Sequence, residues 1–384
     1  MINVAFAVPK SGTDYNMQFV PDQVSSATFI AQIKTLQAQG KKVNISLGGA
    51  TAPVSLDNKT ERDSFIVSMT RIINTYNFDG IDIDLEGSSL SVSGGTISSP
   101  VDQPIINLIY AIKAIMANYY TQNNHRLILT MAPETAFVQG GQSAYGGIWG
   151  AYLPVIDALR DSLYILHVQL YNSGSMYVVD RKIYTQGTDD FIVAMCEAVI
   201  QVFSTVGGIF TGLPASKIAV GLPACSKAAG GGFTDTATVK TAIDYLKGNG
   251  TQPGSYTLVS ATGYPDFRGM MTWSINWDAV SNCGTSYEFA DNYQTLFEST
   301  SSSEINNFSD NHIAFYPNPT RDFIHLDLSN HFDSDSEFYL YNTFGEIVLS
   351  KHITSRNETM DISLFPQGIY YLSHNKQQQK IIKY

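Results

Sequence analysis

The chain has 384 residues, of which 44% are hydrophobic, enough to bury one large core or two smaller ones. Its 23 basic and 34 acidic residues give a net charge of -11, which disfavours nucleic acid and anionic membranes as partners. No apolar run approaches the roughly 20 residues of a membrane span, and the combination of 15% charged residues with 22 tyrosines suits the binding of neutral polar ligands such as sugars.

The N-terminal residues and the cysteines limit the class of protein further. The start, MINVAFAVPKSG, lacks the basic residues and the long apolar stretch of a signal peptide. Three cysteines are too few for a disulfide scaffold. Cys196 lies in the apolar helical pattern VAMCEAVI and is expected to be buried, and we expect Cys225 and Cys283 to remain unpaired.

Short apolar strands alternate with amphipathic helices along most of the chain. The predicted strands are 2–7, 42–49, 78–86, 126–134, 163–172, 217–224 and 269–277. The predicted helices are 23–39, 59–77, 101–123, 187–206 and 236–247. This alternation predicts an α/β fold with a parallel sheet covered by helices. Seven strands over roughly 300 residues favour an eight-stranded (β/α) TIM barrel over an open sheet, although one strand is lacking from the count.

The third predicted strand, FDGIDIDLE, alternates apolar residues with three carboxylates, Asp82, Asp84 and Glu86. Successive side chains of a strand point to opposite faces, so these like charges share one face and repel each other. Active sites of (β/α) barrels lie at the C-terminal ends of the strands. The pattern therefore predicts that the carboxylates point into the barrel, with Glu86 nearest to a bound ligand.

The character of the chain changes near its C-terminus. Residues 299–313 are rich in Ser and Asn and lack apolar periodicity, which predicts a linker between a first domain, 1–298, and a second domain, 314–384. The second domain consists of short alternating strands divided by turn residues. That pattern is typical of a small all-β sandwich.

The row of carboxylates suits glycosidic bond cleavage, which needs an acid for the leaving oxygen and stabilisation of an oxocarbenium-like transition state. In substrate-assisted enzymes the acetamido oxygen of the sugar replaces a second carboxylate. Glu86 would then be the acid, Asp84 would hold the acetamido N–H, and Tyr171 would bind its oxygen. Asp82 would share a proton with Asp84. The rival interpretations are a cation site, whose calcium-loop spacing is not matched, and a Tyr171 that merely fills the core.

Several motifs together resemble the chitinases of glycoside hydrolase family 18. FDGIDIDLE resembles the family signature D-G-x-D-x-D-x-E, and SLGG, TMAPETAFVQGG, HVQLYN and GMMTWSINWD resemble further family segments in the same order. The resemblance covers about residues 1–298. It implies a (β/α) barrel with the catalytic acid at Glu86, the paired aspartates at Asp84 and Asp82, and the acetamido-binding tyrosine at Tyr171. It implies no cofactor and no metal.

The same resemblance implies a set of substrate-binding residues. Trp273 takes the place of the aromatic floor beneath the sugar, although a large aromatic residue can also simply pack the barrel top. Gln169 and Asn172 stand where many relatives carry Met and Asp, which leaves their roles open. Met131 and Glu134 complete the set, but a glutamate at a strand end can equally cap a neighbouring loop.

Two further expectations follow from resemblance. INVAFA resembles the second strand of the family barrel, so we expect the first strand, and an export signal before it, to be missing from this chain. The segments YPNPTRDFIHL, LFPQGIYYL and KIIKY resemble the type A sorting domain of the Bacteroidetes type IX secretion system. This implies the type IX machinery as a partner and a secreted, extracellular or cell-surface location in a Bacteroidetes-type bacterium.

The function expected from these observations is that of a secreted chitinase, which hydrolyses polymers of β-1,4-linked N-acetylglucosamine with retention at the anomeric carbon. The partners expected are chitin or chitooligosaccharides, and we expect a monomer. Two alternatives remain: an endo-β-N-acetylglucosaminidase that cuts the chitobiose core of N-glycans, and a non-catalytic chitin-binding barrel. The second alternative is disfavoured because lectin-like relatives usually lose the acid, whereas Glu86 is present.

Overall fold

A computed structural model describes residues 1–280, 284–298, 314–316, 320–327, 337–342, 346–352, 354–355, 357–374 and 377–383. The chain divides into two compact units, Met1–Ser301 and Ser302–Tyr384, and each has its own hydrophobic core. The predicted linker, 299–313, lies outside the described residues. The exact domain bounds therefore stay a prediction.

The first unit contains both strands and helices. Its strands are β1 (Ile2–Pro9), β2 (Met17–Gln18), β3 (Val43–Gly48), β4 (Gly80–Asp84), β5 (Ile128–Met131), β6 (Leu163–Gln169), β7 (Ser175–Tyr177), β8 (Ile183–Thr185), β9 (Phe203–Thr205), β10 (Gly208–Phe210), β11 (Ile218–Pro223) and β12 (Gly269–Trp273). Its α-helices are α1 (Ser26–Ala38), α2 (Lys59–Tyr76), α3 (Gln103–Asn123), α4 (Leu153–Leu159), α5 (Asp189–Ile200), α6 (Thr236–Leu246), α7 (Ile275–Asp278) and α8 (Glu288–Tyr293).

The main sheet has the order β12-β11-β6-β5-β4-β3-β1-β2. All seven predicted strands are present in it and run parallel, and the short β2 pairs antiparallel with β1. The ring of Phe6, within β1, stacks on that of Trp273, at the end of β12, so the first and last parallel strands lie close together. The sheet thus curves into a TIM-barrel-type fold, and the predicted fold class of this unit is confirmed.

Local sequence explains why the helices begin where they do. Asn58 caps α2 by accepting from the backbone N–H groups of Thr60 and Glu61, and the Glu61 side chain reaches back to complete a capping box. Asn58 and Glu61 therefore fix the start of α2. Helix α3 buries Leu108, Ile112 and Ile115 against the core, and their spacing of three and four places them on one helical face.

Two features of the first unit differ from the sequence-based expectation. The helix predicted over 187–206 ends at Ile200, and the following residues form the hairpin β9–β10. The prediction was wrong because the chain turns back at Val206 and Gly207, so the residues from Phe203 to Thr205 pair with β10 instead of continuing the helix. The structure also contains the hairpin β7–β8 and helix α4, neither of which was predicted.

The cysteines also differ from expectation. Cys196 is free and buried, as predicted. Cys225 is disulfide-bonded, so the expectation that it remains unpaired is wrong, and Cys283 lies outside the described residues. Cys225 lies two residues after the end of β11, and the sequence could not show which segment lies beside that strand end. Among the described helices, none combines the length and the apolar character that a membrane crossing requires.

The second unit is built from strands in the described ranges. They are β13 (Ala314–Tyr316), β14 (Phe323–Asp327), β15 (Glu337–Tyr341), β16 (Ile347–His352), β17 (Asn357–Asp361), β18 (Gly368–His374) and β19 (Gln377–Lys383). They form a sheet of order β13-β14-β17 and a sheet of order β16-β15-β18-β19. Residues from both sheets, including Ile324, Leu340, Met360 and Leu372, share one apolar cluster. The predicted all-β character of this part is confirmed.

Candidate active site

Strand β4 carries the row of carboxylates at the centre of the main sheet. Asp82 lies opposite Ser46 of β3 and Thr130 of β5, while Asp84 lies opposite Gly48 at the end of β3. A Cβ atom on Gly48, whose φ is +99°, would lie 2.5 Å from the backbone oxygen of Asp84. Only glycine therefore allows β3 to approach β4 this closely at the site.

Asp82 is the deepest of the three carboxylates and is 2% exposed. One of its oxygens accepts a hydrogen bond from the Ser46 hydroxyl at 2.7 Å, and the other accepts one from Thr130 at 2.5 Å. The Nε2 atom of His167 lies 3.1 Å from the latter oxygen. Burial by itself would raise the pKa of Asp82, but His167 and the two hydroxyl groups outweigh it and hold that pKa below its ordinary value.

Asp84 is also buried, but its surroundings act in the opposite direction. Its pKa is raised well above the ordinary value, first by burial and then by the nearby charges of Glu86 and Asp82. The Glu86 carboxyl is within hydrogen-bonding reach of Asp84. Asp84 therefore favours its protonated form, next to a half-buried Glu86 at the mouth of the row.

Gln169, at the end of β6, connects the upper two carboxyls. Its side-chain nitrogen donates to Asp84 at 2.8 Å, to Glu86 at 3.2 Å and to the backbone oxygen of Ala132 at 2.9 Å. Two N–H groups thus serve three acceptors. The backbone of Gln169 is held by the pairing of β6 with β11, so its side-chain amide fixes the orientation of Asp84 relative to Glu86.

Tyr171 follows Gln169 by two residues and is almost completely buried. Burial, and after it the charges of Asp84 and Glu86, raise the pKa of its hydroxyl well above the ordinary value. The phenol therefore keeps its proton and can donate a hydrogen bond. Asn172 is exposed, has a left-handed backbone with φ of 54°, and donates its backbone N–H to Gly231.

Trp273 stands at the end of β12 and is partly exposed. Its ring stacks on that of Phe6 in β1, with centroids 5.7 Å apart and planes 16° apart. Gly49 also lies against the Phe6 ring: its φ is +76°, and a Cβ atom at this position would lie 2.8 Å from that ring. Phe6 thus sets the position of the Trp273 indole. The sequence did not indicate Phe6 as a residue of the site, because nothing in the strand pattern distinguishes it from its neighbours.

The remaining predicted substrate contacts differ in their surroundings. Glu134 is half-buried and accepts from the backbone N–H of Gly87 at 3.4 Å. Burial and the charge of Glu86 raise the pKa of Glu134, which the Gly87 hydrogen bond opposes. Met131 is completely buried and has no surface to offer a ligand in this conformation. The roles of both as substrate contacts stay predictions.

Tyr152 is a second residue that the sequence did not indicate. This tyrosine is completely buried, and its hydroxyl accepts from the backbone N–H of Leu85 at 2.7 Å and donates to the backbone oxygen of Ile83 at 3.4 Å. It therefore fixes the segment between Asp84 and Glu86, where β4 loses its ladder partners. No local pattern could have shown this, because Tyr152 and Leu85 are 67 positions apart.

Comparison with known families gives two matches that meet near the junction of the two units. Residues 1–316 match the family described as "Glycosyl hydrolases family 18". Residues 314–384 match the one described as "Secretion system C-terminal sorting domain". The two predicted resemblances are thereby confirmed.

Individual proteins are similar to the first unit. The chain is 48% identical over 287 residues to the chitinase Chi52 of Paenibacillus xylanexedens and 47% identical over 288 residues to chitinase D of Niallia circulans. Each match covers 73% of this chain and 54% of the relative, so the chain spans about half the length of these curated relatives. The crystal structure of a family 18 chitinase from Chromobacterium violaceum aligns with a TM-score of 0.67 and 39% identity, covering 77% of this chain and 76% of that one.

Proposed function

Because the chain belongs to family 18 of the glycosyl hydrolases, we propose that it is a chitinase, which hydrolyses β-1,4-linked N-acetylglucosamine polymers with retention of configuration. The observation that carries the proposal is the pair of Asp84 and Glu86. The two carboxyls lie within hydrogen-bonding reach, and the pKa of Asp84 is raised by burial and by the charge of Glu86. The names of the relatives, all of them chitinases, support the choice of substrate.

In the proposed mechanism Glu86 is the general acid and base. Its proton passes to the glycosidic oxygen, the C1–O bond breaks, and the acetamido oxygen of the same sugar closes on C1 to give an oxazolinium ion. A water molecule then attacks C1 from the face that the leaving group vacated, gives its proton to Glu86 and reopens the ring. Two displacements at one carbon leave its configuration retained.

Asp84 supports the first step by orienting the acetamido group. An oxygen of Asp84 accepts the acetamido N–H, which directs the carbonyl oxygen towards C1 and stabilises the positive charge of the oxazolinium ion. Asp84 favours its protonated form and lies within hydrogen-bonding reach of Glu86, so it can share its proton with the acid. Asp82, held by Ser46 and Thr130, lies deeper in the barrel and supplies a negative charge next to Asp84.

Tyr171 and Trp273 complete the site from the sides. The Tyr171 hydroxyl keeps its proton and donates to the acetamido oxygen. The Trp273 ring, set by its stack on Phe6, offers a flat apolar face to the sugar ring. Gln169 keeps Asp84 and Glu86 in register through its amide.

One assay separates the proposal from the endo-β-N-acetylglucosaminidase. The purified chain is incubated with colloidal chitin and, separately, with a high-mannose glycoprotein. Release of short N-acetylglucosamine oligomers from chitin supports the chitinase. Release of the glycan from the glycoprotein, with chitin untouched, would overturn it in favour of the endo-enzyme. Binding to chitin without any product would point to the non-catalytic barrel.

We also propose that residues 314–384 direct the protein through the type IX machinery to the outside of a Bacteroidetes-type cell. The support is their match to the secretion-system sorting domain. The test compares a full-length secreted form with one truncated after residue 313, both produced in a host that has this machinery. Full-length protein in the medium or on the cell surface supports the proposal, whereas equal export of both forms contradicts it.

A further inference from the structure

A buried histidine lies beneath the row of carboxylates, and the mechanism above assigns no role to it. His167 belongs to β6, is 4% exposed, and approaches Asp82 with Nε2 at 3.1 Å. Both side chains are almost completely buried, so water screens the interaction only weakly. The pair is 85 positions apart in sequence but shares the interior of the barrel.

The neighbours of His167 decide which ring nitrogen carries a proton. The Nδ2 atom of Asn3 lies 3.4 Å from Nε2, and the Asn3 oxygen already accepts from Asn44 at 3.0 Å. Asn3 therefore turns an N–H towards Nε2, which only a bare Nε2 could accept, but this contact is longer than the 3.1 Å between Nε2 and the Asp82 carboxylate. A bare Nε2 would set its lone pair against that negative charge. The shorter, charged contact decides the tautomer, so Nε2 carries a proton that it donates to Asp82.

The opposite nitrogen of the ring supports the same tautomer. Nδ1 of His167 is buried and has no hydrogen-bond partner among the described residues. A proton on Nδ1 alone would leave a buried donor unsatisfied while removing the donor that Asp82 requires. The geometry is therefore consistent with one arrangement of the pair, Nε2–H donating to an ionised carboxylate.

Asp82 is consequently surrounded by donors from three strands. Ser46 of β3 donates to one oxygen, and Thr130 of β5 and His167 of β6 approach the other. A protonated Asp82 would have to turn one O–H against these donors. Three donors thus favour the anion, which in turn makes the next carboxyl, Asp84, the better place for a proton.

We propose that His167 is a positioning residue that holds Asp82 as an anion, so that the proton of the carboxylate row stays on Asp84 beside Glu86. The inference rests on the proposed function, since it states how that site is kept in its working protonation state. His167 touches neither substrate nor the reacting atoms and acts through Asp82. The lowered pKa of Asp82 and the raised pKa of Asp84 agree with this geometry.

Other titratable groups around Asp82 need to be considered in a pH experiment. The charge of Asp82 raises the pKa of three groups: Asp84 on the same strand, Tyr152 beside the end of β4, and Tyr171 beyond β6. The pKa values of both tyrosines are raised well above 10 by burial, so neither titrates in the acidic range. Glu86 and Glu134 act on the row from its mouth. A shift confined to the acidic limb upon changing His167 therefore reports on Asp82.

The test uses the full chain with His167→Leu, which removes the donor, and His167→Gln, whose amide can still donate towards Asp82. The matched control is His125→Gln, an exposed histidine outside the barrel. The first readout is the pH profile of kcat on a soluble fluorogenic diacetylchitobioside. Loss of His167 raises the pKa of Asp82, so in His167→Leu the acidic limb should move up by about one pH unit, with kcat about tenfold lower than in the wild type at pH values below the wild-type limb.

The expected order of the variants makes the result specific. His167→Gln should show a smaller shift than His167→Leu, KM should change little in either, and His125→Gln should follow the wild type. If both His167 variants keep the wild-type pH profile and lose rate only in proportion to the unfolded fraction, His167 merely fills space and the proposal is overturned.

A second readout does not depend on catalysis and so separates this inference from the proposed function. The folded-state pKa of Asp82 lies below its ordinary value, so Asp82 contributes stability that is lost only as the pH falls through that depressed value. In His167→Leu that pKa should rise towards its value in the unfolded chain, so the Tm should be lower than in the wild type at neutral pH and should fall less on acidification, and the gap between the two Tm profiles should narrow as the pH falls. Parallel Tm profiles, with a gap that does not depend on pH, would overturn the inference even in an active enzyme, and a narrowing gap would support it even if chitin proved not to be the substrate.

Discussion

The side-chain nitrogen of Gln169 lies 2.8 Å from an Asp84 oxygen and donates a hydrogen bond to it. The two residues are 85 positions apart in sequence, on strands separated by β5 in the sheet. The same nitrogen lies 3.2 Å from Glu86. The distance between the proposed acid and the proposed acetamido acceptor thus depends on one neutral amide.

Replacing Gln169 by methionine should retune the pH dependence without abolishing hydrolysis. The amide hydrogen bond favours the ionised form of Asp84, so its removal raises that pKa further. The alkaline limb of the kcat profile should move to higher pH, and kcat should fall by less than about tenfold because the amide transfers no proton itself. Gln122→Met, an exposed glutamine on α3, is the control. An unchanged alkaline limb in Gln169→Met would contradict this role.

Glu86→Gln should fold normally and lose nearly all hydrolysis, since removing a general acid typically costs about 10²–10⁴ in rate or more. Its half-exposed position at the mouth of the row makes a change of stability small. Turnover of chitin oligomers and the melting temperature measure the two effects separately. A variant that keeps the wild-type rate would remove Glu86 from the mechanism.

Asp84→Asn and Tyr171→Phe should each slow hydrolysis, because both side chains are placed to hold the acetamido group of the substrate. The stereochemistry of the product is the sharper measurement. NMR of the first product released by the wild type should show the β-anomer, as two successive displacements require. Early appearance of the α-anomer would rule out acetamido participation.

The stack of Phe6 on Trp273 should couple the two residues in substrate binding. Trp273→Leu should raise KM by removing the flat face, and Phe6→Leu should raise it by a smaller amount because the indole loses its support. A double-mutant cycle on KM for a chitooligosaccharide should give a coupling of about 0.5–1.5 kcal/mol, the range found for aromatic pairs. Strictly additive effects would show that Phe6 does not position Trp273.

Tyr152→Phe removes one hydroxyl from the back of the site. The backbone N–H of Leu85 would be left without its partner in a completely buried position, which costs about 1–3 kcal/mol. The melting temperature should fall, and kcat should fall with it because the segment from Asp84 to Glu86 loses its anchor. Loss of stability with full kcat at a temperature where the variant is folded would show that the anchor serves the fold alone.

Local periodicity in the sequence was sufficient to predict much of this molecule. The two-residue period of FDGIDIDLE identified β4 and placed Asp82, Asp84 and Glu86 on one face, and the alternation of strand and helix patterns identified all seven parallel strands. Such periods depend on the geometry of a single element, so they are legible without knowing what packs against it. The second unit was recognised for the same reason, by its short alternating strands.

The partners of the carboxylates could not be predicted in this way. His167, Tyr152 and Phe6 reach the site from separate elements, and the disulfide bond at Cys225 likewise depends on a neighbour that no local pattern shows. These contacts exist only once parallel strands lie side by side and the sheet curves. These contacts also decide which aspartate is protonated. Asp82 and Asp84 are two residues apart and both buried, yet their pKa values are displaced in opposite directions. Three donors lower the pKa of Asp82, whereas the nearby carboxyls of Glu86 and Asp82 add to the effect of burial on Asp84.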